Sequence, residues 1–236
     1  MKYKICGINI ELECDVNGRT YRQAKSYMAD FEGEPEITIN LGRKFIGEKQ
    51  KEHSHLSVEE CEYIWTGFEF CKKLLSLSGF MLHSSAVCYE GRAYLFSAPS
   101  GTGKSTHTEI WQRVFGAENA VIINDDKPVI RLENGCFYVY GTPWSGKGDK
   151  NLNIRVPLQG ICFLERGKKN HIERISEKDA IVSILNQTVR TPDINIMNSL
   201  LSLIDELLKN IPVYKLSCNM EDEAAEVSYN GMKNGM

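Results

Sequence analysis

The segment Ala98-Pro99-Ser100-Gly101-Thr102-Gly103-Lys104-Ser105-Thr106 constrains this chain more than any other. It fits the pattern alanine or glycine, four residues, then Gly-Lys-Ser/Thr. Background frequencies give a chance match in 236 residues on the order of one or two per cent, so the flanking sequence decides the matter. The apolar run AYLFS precedes the segment as a buried strand. From Lys104 to Phe115 the pairs Ile110/Val114 and Trp111/Phe115 recur at helical spacing until Gly116. Gly101 and Gly103 let the backbone turn so that successive N–H groups point at phosphate oxygens, and the helix adds its positive N-terminal dipole. Ser100, Gly101, Thr102, Gly103, Lys104, Ser105 and Thr106 are therefore the expected nucleotide contacts. Lys104 would reach the β- and γ-phosphates, and the Ser105 hydroxyl would ligand Mg²⁺.

A second element follows that helix. The strand AVIIN runs into Asp125-Asp126, the place where such proteins hold magnesium. Side chains alternate along a strand, so two adjacent acids divide their labour. One serves the metal and the other takes a proton from a substrate hydroxyl. His83, on the strand before AYLFS, is expected at the phosphate end. Lys147, Lys150 and Arg155, after the Gly141-Thr142-Pro143-Trp144 turn, are candidates to clamp phosphate or an acidic substrate.

The remaining pattern is mixed. The first 55 residues read as short strands and turns, KYKICGINIELE and EITINL, with the polar stretch 47–55 as a loop. Ser57 and Glu60 form a capping box for a helix with Cys61, Ile64, Trp65, Phe68, Cys71, Leu74 and Leu75 on one face, stopped by Gly79. Glu90-Gly91 and Asn134-Gly135 mark hairpins. Ser176 caps another helix, Thr191-Pro192 opens a leucine-rich one to Asn210, and IPVYKLSC is a last strand. Many hairpins among alternating helices predict an α/β fold with a mixed sheet flanked by helices. A single domain over 1–236 is expected, with strands and a helix of unassigned role in 1–78 and the core in 79–236.

Composition narrows the function classes. A net charge of -3 and a pI near 6.0 exclude an electrostatic nucleic-acid or anionic-membrane binder. Eight cysteines without a C-x-x-C pair, several in apolar runs, read as reduced buried thiols. Glu11 and Glu13 rule out a secretory apolar core near the start, and no run of 18 uncharged apolar residues is present, so a cytoplasmic protein is expected.

Taken together, LHSSAVCYEGRAYLFSAPSGTGKST, INDDKPVI and YGTPWSGK resemble the HPr kinase/phosphorylase and phosphoenolpyruvate carboxykinase superfamily over roughly residues 80–165. The resemblance implies a P-loop core like the HPr kinase C-terminal domain, with ATP and Mg²⁺ as ligands. It places Lys104 and Ser105 on phosphate and metal, His83 beside them, Asp125 on the metal, and Asp126 as proton acceptor from a substrate serine. In the carboxykinases the second aspartate helps hold a metal instead, so the division between Asp125 and Asp126 stays open. Where the HPr kinases carry a glutamate in a M-E-I-R-G-x-G segment, this chain has Tyr140-Gly141-Thr142-Pro143-Trp144. The implied activity is a kinase acting on serine in a peptide or small protein, or on a small hydroxyl compound, as a homo-oligomer. The alternative is a nucleotide-binding module that recognises a peptide or protein partner without phosphoryl transfer.

Overall fold

The structure, a computed structural model, describes residues 1–146 and 148–235. At its centre is the twelve-residue strand β10 (Arg155–Arg166), which changes neighbours along its length. Its first residues pair antiparallel with β9 (Cys136–Tyr140); its middle runs parallel to β6 (Arg92–Ser97) and its end parallel to β12 (Val213–Cys218). A meander of β4 (Gly79–Met81), β8 (Val129–Glu133) and β9 extends one side. On the other, β6 forms a hairpin with β5 (Ser84–Tyr89), and β5 pairs antiparallel with β7 (Val121–Asn124). Strand β11 (His171–Arg174) closes the far edge on β12. The sheet is mixed, as its hairpins foretold.

Helices cover both faces because the strands alternate apolar residues on each. Leu95 of β6 joins a core with Ile184 of α5 (Glu177–Asn186) and Leu200, Ile204 and Leu207 of α6 (Ile194–Asn210). Its neighbours Tyr94 and Phe96 face Ile110 and Trp111 of α4 (Lys104–Phe115) and Met232 of α7 (Glu223–Met232). The leucine stripe of α6 is thus core. The two expected hairpin turns, Glu90-Gly91 and Asn134-Gly135, each have two consecutive residues at positive φ, which matches the twist of their strands.

The N-terminal part holds a small sheet of β1 (Lys2–Ile5), β2 (Ile8–Leu12) and β3 (Ile37–Ile39), with α1 (Arg19–Ala24), α2 (Gly42–Glu52) and α3 (Val58–Leu74). Its core continues into the meander: Tyr3, Ile10, Phe70 and Leu74 pack in one cluster with Val129, Tyr140 and Trp144.

Three local expectations need correction. The stretch 47–55 is not all loop, since α2 runs through Glu52. Only Ile46 of that helix is buried, so its apolar signal was too thin to read. Helix α3 does begin at the Ser57–Glu60 capping box, but it buries Cys61, Tyr63, Thr66, Gly67, Phe70, Cys71 and Leu74. Ile64 and Phe68 remain 43% and 37% exposed, so the buried face is rotated from the expected one. The helical run ends on Ser78, left-handed at φ 57°, rather than on Gly79, which pairs in β4. Among the described residues no helix is long and apolar enough to cross a membrane.

Candidate functional site

Three parallel strands, β6, β10 and β12, end on the same side of the sheet, the side on which open α/β sheets bind ligands. The glycine-bearing turn leaves β6 there. Gly101 stands at φ 77° and Gly103 at φ 120°. Nothing lies within 4 Å of a side chain built at either, so the backbone conformation, not crowding, calls for glycine. Helix α4 starts at Lys104 with Gly103 as its cap, and no side chain caps its first N–H groups. Such a helix start suits an anion. Ser100 and Ser105 are exposed, and Thr102 and Thr106 half-buried. Arg166, from the end of β10, donates to the Gly101 carbonyl at 2.6 Å and braces the turn. A cleft of about 460 Å³ opens between this turn and the ends of β10 and β12, lined by Gly101, Gly103, Thr106, His107, Arg166 and Cys218 among others.

Lys104 is buried, its ammonium donating to Ala98 O at 2.8 Å and to Pro99 O at 3.4 Å. Burial lowers its pKa, and the negative charge of Asp126 partly restores it. That coupling joins the glycine turn to the end of β7.

The two aspartates are held in opposite conditions. Asn124, buried at the end of β7, accepts from the backbone N–H of Asp126 and of Lys127 at 2.9 and 2.7 Å and so folds the chain after the strand. Asp125 is 8% exposed, and its Oδ1 has no hydrogen-bond partner. Burial raises its pKa, and the adjacent Asp126 charge raises it further. Gly146 and Gly148 each lie over it: a side chain at Gly146 would come within 3.5 Å of Asp125 Oδ1 and one at Gly148 within 2.9 Å of Oδ2. Asp126 has a partner on each oxygen, His83 Nε2 at 3.2 Å on Oδ1 and the Lys127 ammonium on Oδ2. Burial pushes its pKa up, but the His83 hydrogen bond and Lys127 outweigh that and hold it at about 2.

His83 reaches Asp126 because the expected long strand breaks beside it. β4 ends at Met81, Leu82 bridges to Thr188, and β5 begins at Ser84 in a different part of the sheet. Gln187 then fixes the imidazole, its Oε1 3.0 Å from Nδ1 and its carbonyl accepting the His83 N–H at 2.8 Å.

Of the expected site residues, the structure brings Lys104, Asp125, Asp126 and His83 to one end of the sheet, beside the 100–106 turn. Arg155 lies elsewhere. It stacks 3.5 Å from the Tyr138 ring centroid and pairs with Glu133 at 3.1 Å. Lys150 bonds Glu109 of α4 at 2.6 Å, on the helix that carries Lys104. Lys147 lies outside the described residues.

Sequence reasoning missed the N-terminal contribution. Arg19 of α1 donates to Ser145 O at 3.1 Å and Gly146 O at 2.8 Å while stacking on Tyr63 at 4.0 Å. Tyr63 OH donates to Ser145 O at 2.9 Å, and Phe70 stacks on Trp144 at 4.8 Å. No local signal marks such contacts, which join residues far apart in the chain.

The donor set bears on a metal. Among the described residues no group of three or more His, Cys, Asp or Glu side chains is placed to hold one. Magnesium, however, characteristically uses one or two carboxylates and completes its shell with water and phosphate. A buried carboxylate oxygen without a partner, Asp125 Oδ1, fits that requirement, and Ser105 could supply a hydroxyl.

No curated protein matches the chain. Among solved structures, the HPr(Ser) kinase/phosphatase from Coxiella burnetii matches with 11% identity and a TM-score of 0.34, covering 65% of this chain and 97% of that one. Similarity that low leaves the site to be argued from this chain's own residues. The model of the SynChlorMet cassette protein ScmC family matches residues 50–227, which include the glycine turn, both aspartates and His83, and the chain therefore belongs to that family.

Proposed function

We propose that the protein is an ATP-dependent kinase that transfers the γ-phosphoryl group to a hydroxyl, most simply a serine on a peptide or small protein. One observation carries the reading. Asp125 and Asp126 are adjacent, yet their surroundings push their pKa values apart, up for Asp125 and down to about 2 for Asp126. Neighbouring carboxyls set apart in this way take different roles.

In this reading the nucleotide phosphates lie along residues 100–106, with the backbone N–H groups and Lys104 as donors. Asp125 and Ser105 would hold Mg²⁺, which would supply charge neutralisation to the phosphates. Lys104 exchanges the carbonyls of Ala98 and Pro99 for phosphate, since an ammonium gains more from an anion than from neutral carbonyls. Asp126 stays ionised and orients the acceptor hydroxyl. With a pKa near 2 it is a weak base, so it accepts the proton late, as the hydroxyl oxygen bonds to phosphorus. His83 positions Asp126 through Oδ1.

One observation favours the second reading, a nucleotide-binding module without transfer. Both Asp126 oxygens already have partners, and a hydroxyl must displace or share one. Release of ADP that depends on acceptor separates the two. A kinase releases ADP when a serine peptide is present, and a binding module releases none with or without it.

A further inference from the structure

We infer that the cleft between α3 and the His83–Lys127 end of the site receives an aliphatic side chain adjoining the acceptor hydroxyl, so that the substrate is a serine peptide with apolar residues flanking the serine. This rests on the kinase reading and names its substrate class.

The cleft holds about 180 Å³. Small-molecule and cofactor sites run to about 300–1,000 Å³, so it is too small for a nucleotide and suits one side chain. At one end it is lined by His83 and Lys127, the two residues that hold the oxygens of Asp126, and by Gln187, which bonds His83. Met81, Cys71, Val189 and Trp144 line the rest with the ring of Tyr63, whose hydroxyl is spent on Ser145 O. The hydroxyl end and the apolar end of one substrate therefore have separate places.

The mouth gives the second observation. Ile64 and Phe68, one helical turn apart on α3, line the cleft and are 43% and 37% exposed, while Cys71 on the same helix is buried. An exposed apolar pair on the cleft that His83 and Lys127 also line has no folding role that its burial would supply. Gly67 lies between them, where a Cβ would stand 2.8 Å from Trp144, so the helix approaches the ring as closely as a helix can.

Charge argues against other flanking residues. No carboxylate lines the cleft, so a lysine or arginine has no partner there, and Lys127 is engaged by Asp126. An acidic flank would compete with Asp126 for Lys127. An aliphatic one needs only the exclusion of water.

The test uses the full-length protein, [γ-³²P]ATP with Mg²⁺, and three blocked peptides: acetyl-Leu-Ser-Leu-amide and its glutamate and lysine counterparts. Peptide binding is followed in parallel by calorimetry. The expected result is a kcat/KM for the leucine peptide about tenfold or more above the other two, the discrimination one hydrophobic pocket provides. Phe68→Lys and, as a second variant, Ile64→Lys should remove that preference. Ile194→Lys, on the exposed start of α6, should keep it. Equal transfer to all three peptides, or a preference unaltered in both α3 variants, overturns the inference and leaves the kinase standing. Binding of the leucine peptide alone, lost in the α3 variants but without transfer, supports the cleft and overturns the kinase. Absence of both binding and transfer overturns the inference.

Discussion

Arg19 donates a hydrogen bond of 2.8 Å to the carbonyl of Gly146, and Gly146 lies over Asp125. A residue of the first helix therefore helps hold the turn that buries one of the two aspartates. The N-terminal part thus contacts the residues around Asp125 through Arg19 and Tyr63.

Arg19→Ala should cost about 2 kcal/mol of stability, the usual range for hydrogen bonds to a charged donor. It should also weaken Mg-ATP binding, because the turn over Asp125 loosens. Urea unfolding gives the first quantity and a nucleotide titration the second. Unchanged nucleotide affinity in a folded variant would separate Arg19 from the site.

Lys104→Ala should abolish the rise in melting temperature that Mg-ATP gives the wild type, since a ligand that binds only the folded state must stabilise it. The variant should itself fold, because the hydrogen bonds of the Lys104 ammonium go to the loop carbonyls of Ala98 and Pro99. A retained shift would place the phosphates elsewhere.

Asp126 carries a pH signature. Its pKa falls from 3.8 unfolded to about 2 folded, so its contribution is full above about pH 4 and is lost as pH falls through 2. At about 1.4 kcal/mol per unit, the shift corresponds to about 2 kcal/mol. The stability difference between wild type and Asp126→Asn should be largest above pH 4 and vanish near pH 2. A difference independent of pH over that span would mean that His83 and Lys127 do not hold the carboxylate ionised.

Gly67→Ala should destabilise the protein by about 1–3 kcal/mol through overpacking on Trp144, despite a gain of up to about 1 kcal/mol in helix propensity. A shifted Trp144 should alter the tryptophan emission. A stabilised variant would show that the ring has room to move.

The sequence spoke most clearly where structure is local. The Ser57–Glu60 box, the Asn134-Gly135 turn and the glycine turn each depend on a few consecutive residues, and each is present. Helix α2 escaped notice because GEKQKE shows almost no apolar periodicity. The orientation of α3 was misread because Ile64 and Phe68 have the spacing of a core face but line an open cleft. The break at Leu82-His83 was hidden for a related reason: MLHSSAVCY reads as one strand, and only pairing to β8 on one side and β6 on the other divides it. Asp125, Asp126 and Lys104 were legible as candidates because they sit at the ends of recognisable elements. Arg166 and Gln187 were not, since each reaches the site from a distant part of the chain.

The central claim is phosphoryl transfer oriented by Asp126, and one measurement addresses it directly. Wild type and Asp126→Asn are each incubated with Mg²⁺, [γ-³²P]ATP and acetyl-Leu-Ser-Leu-amide, and label on the peptide is counted while nucleotide affinity is measured alongside. The account predicts labelled peptide with wild type and a loss of about 10²–10⁴-fold in the variant, with nucleotide affinity nearly unchanged. Equal labelling by both proteins, or none by wild type at saturating nucleotide and peptide, would contradict it.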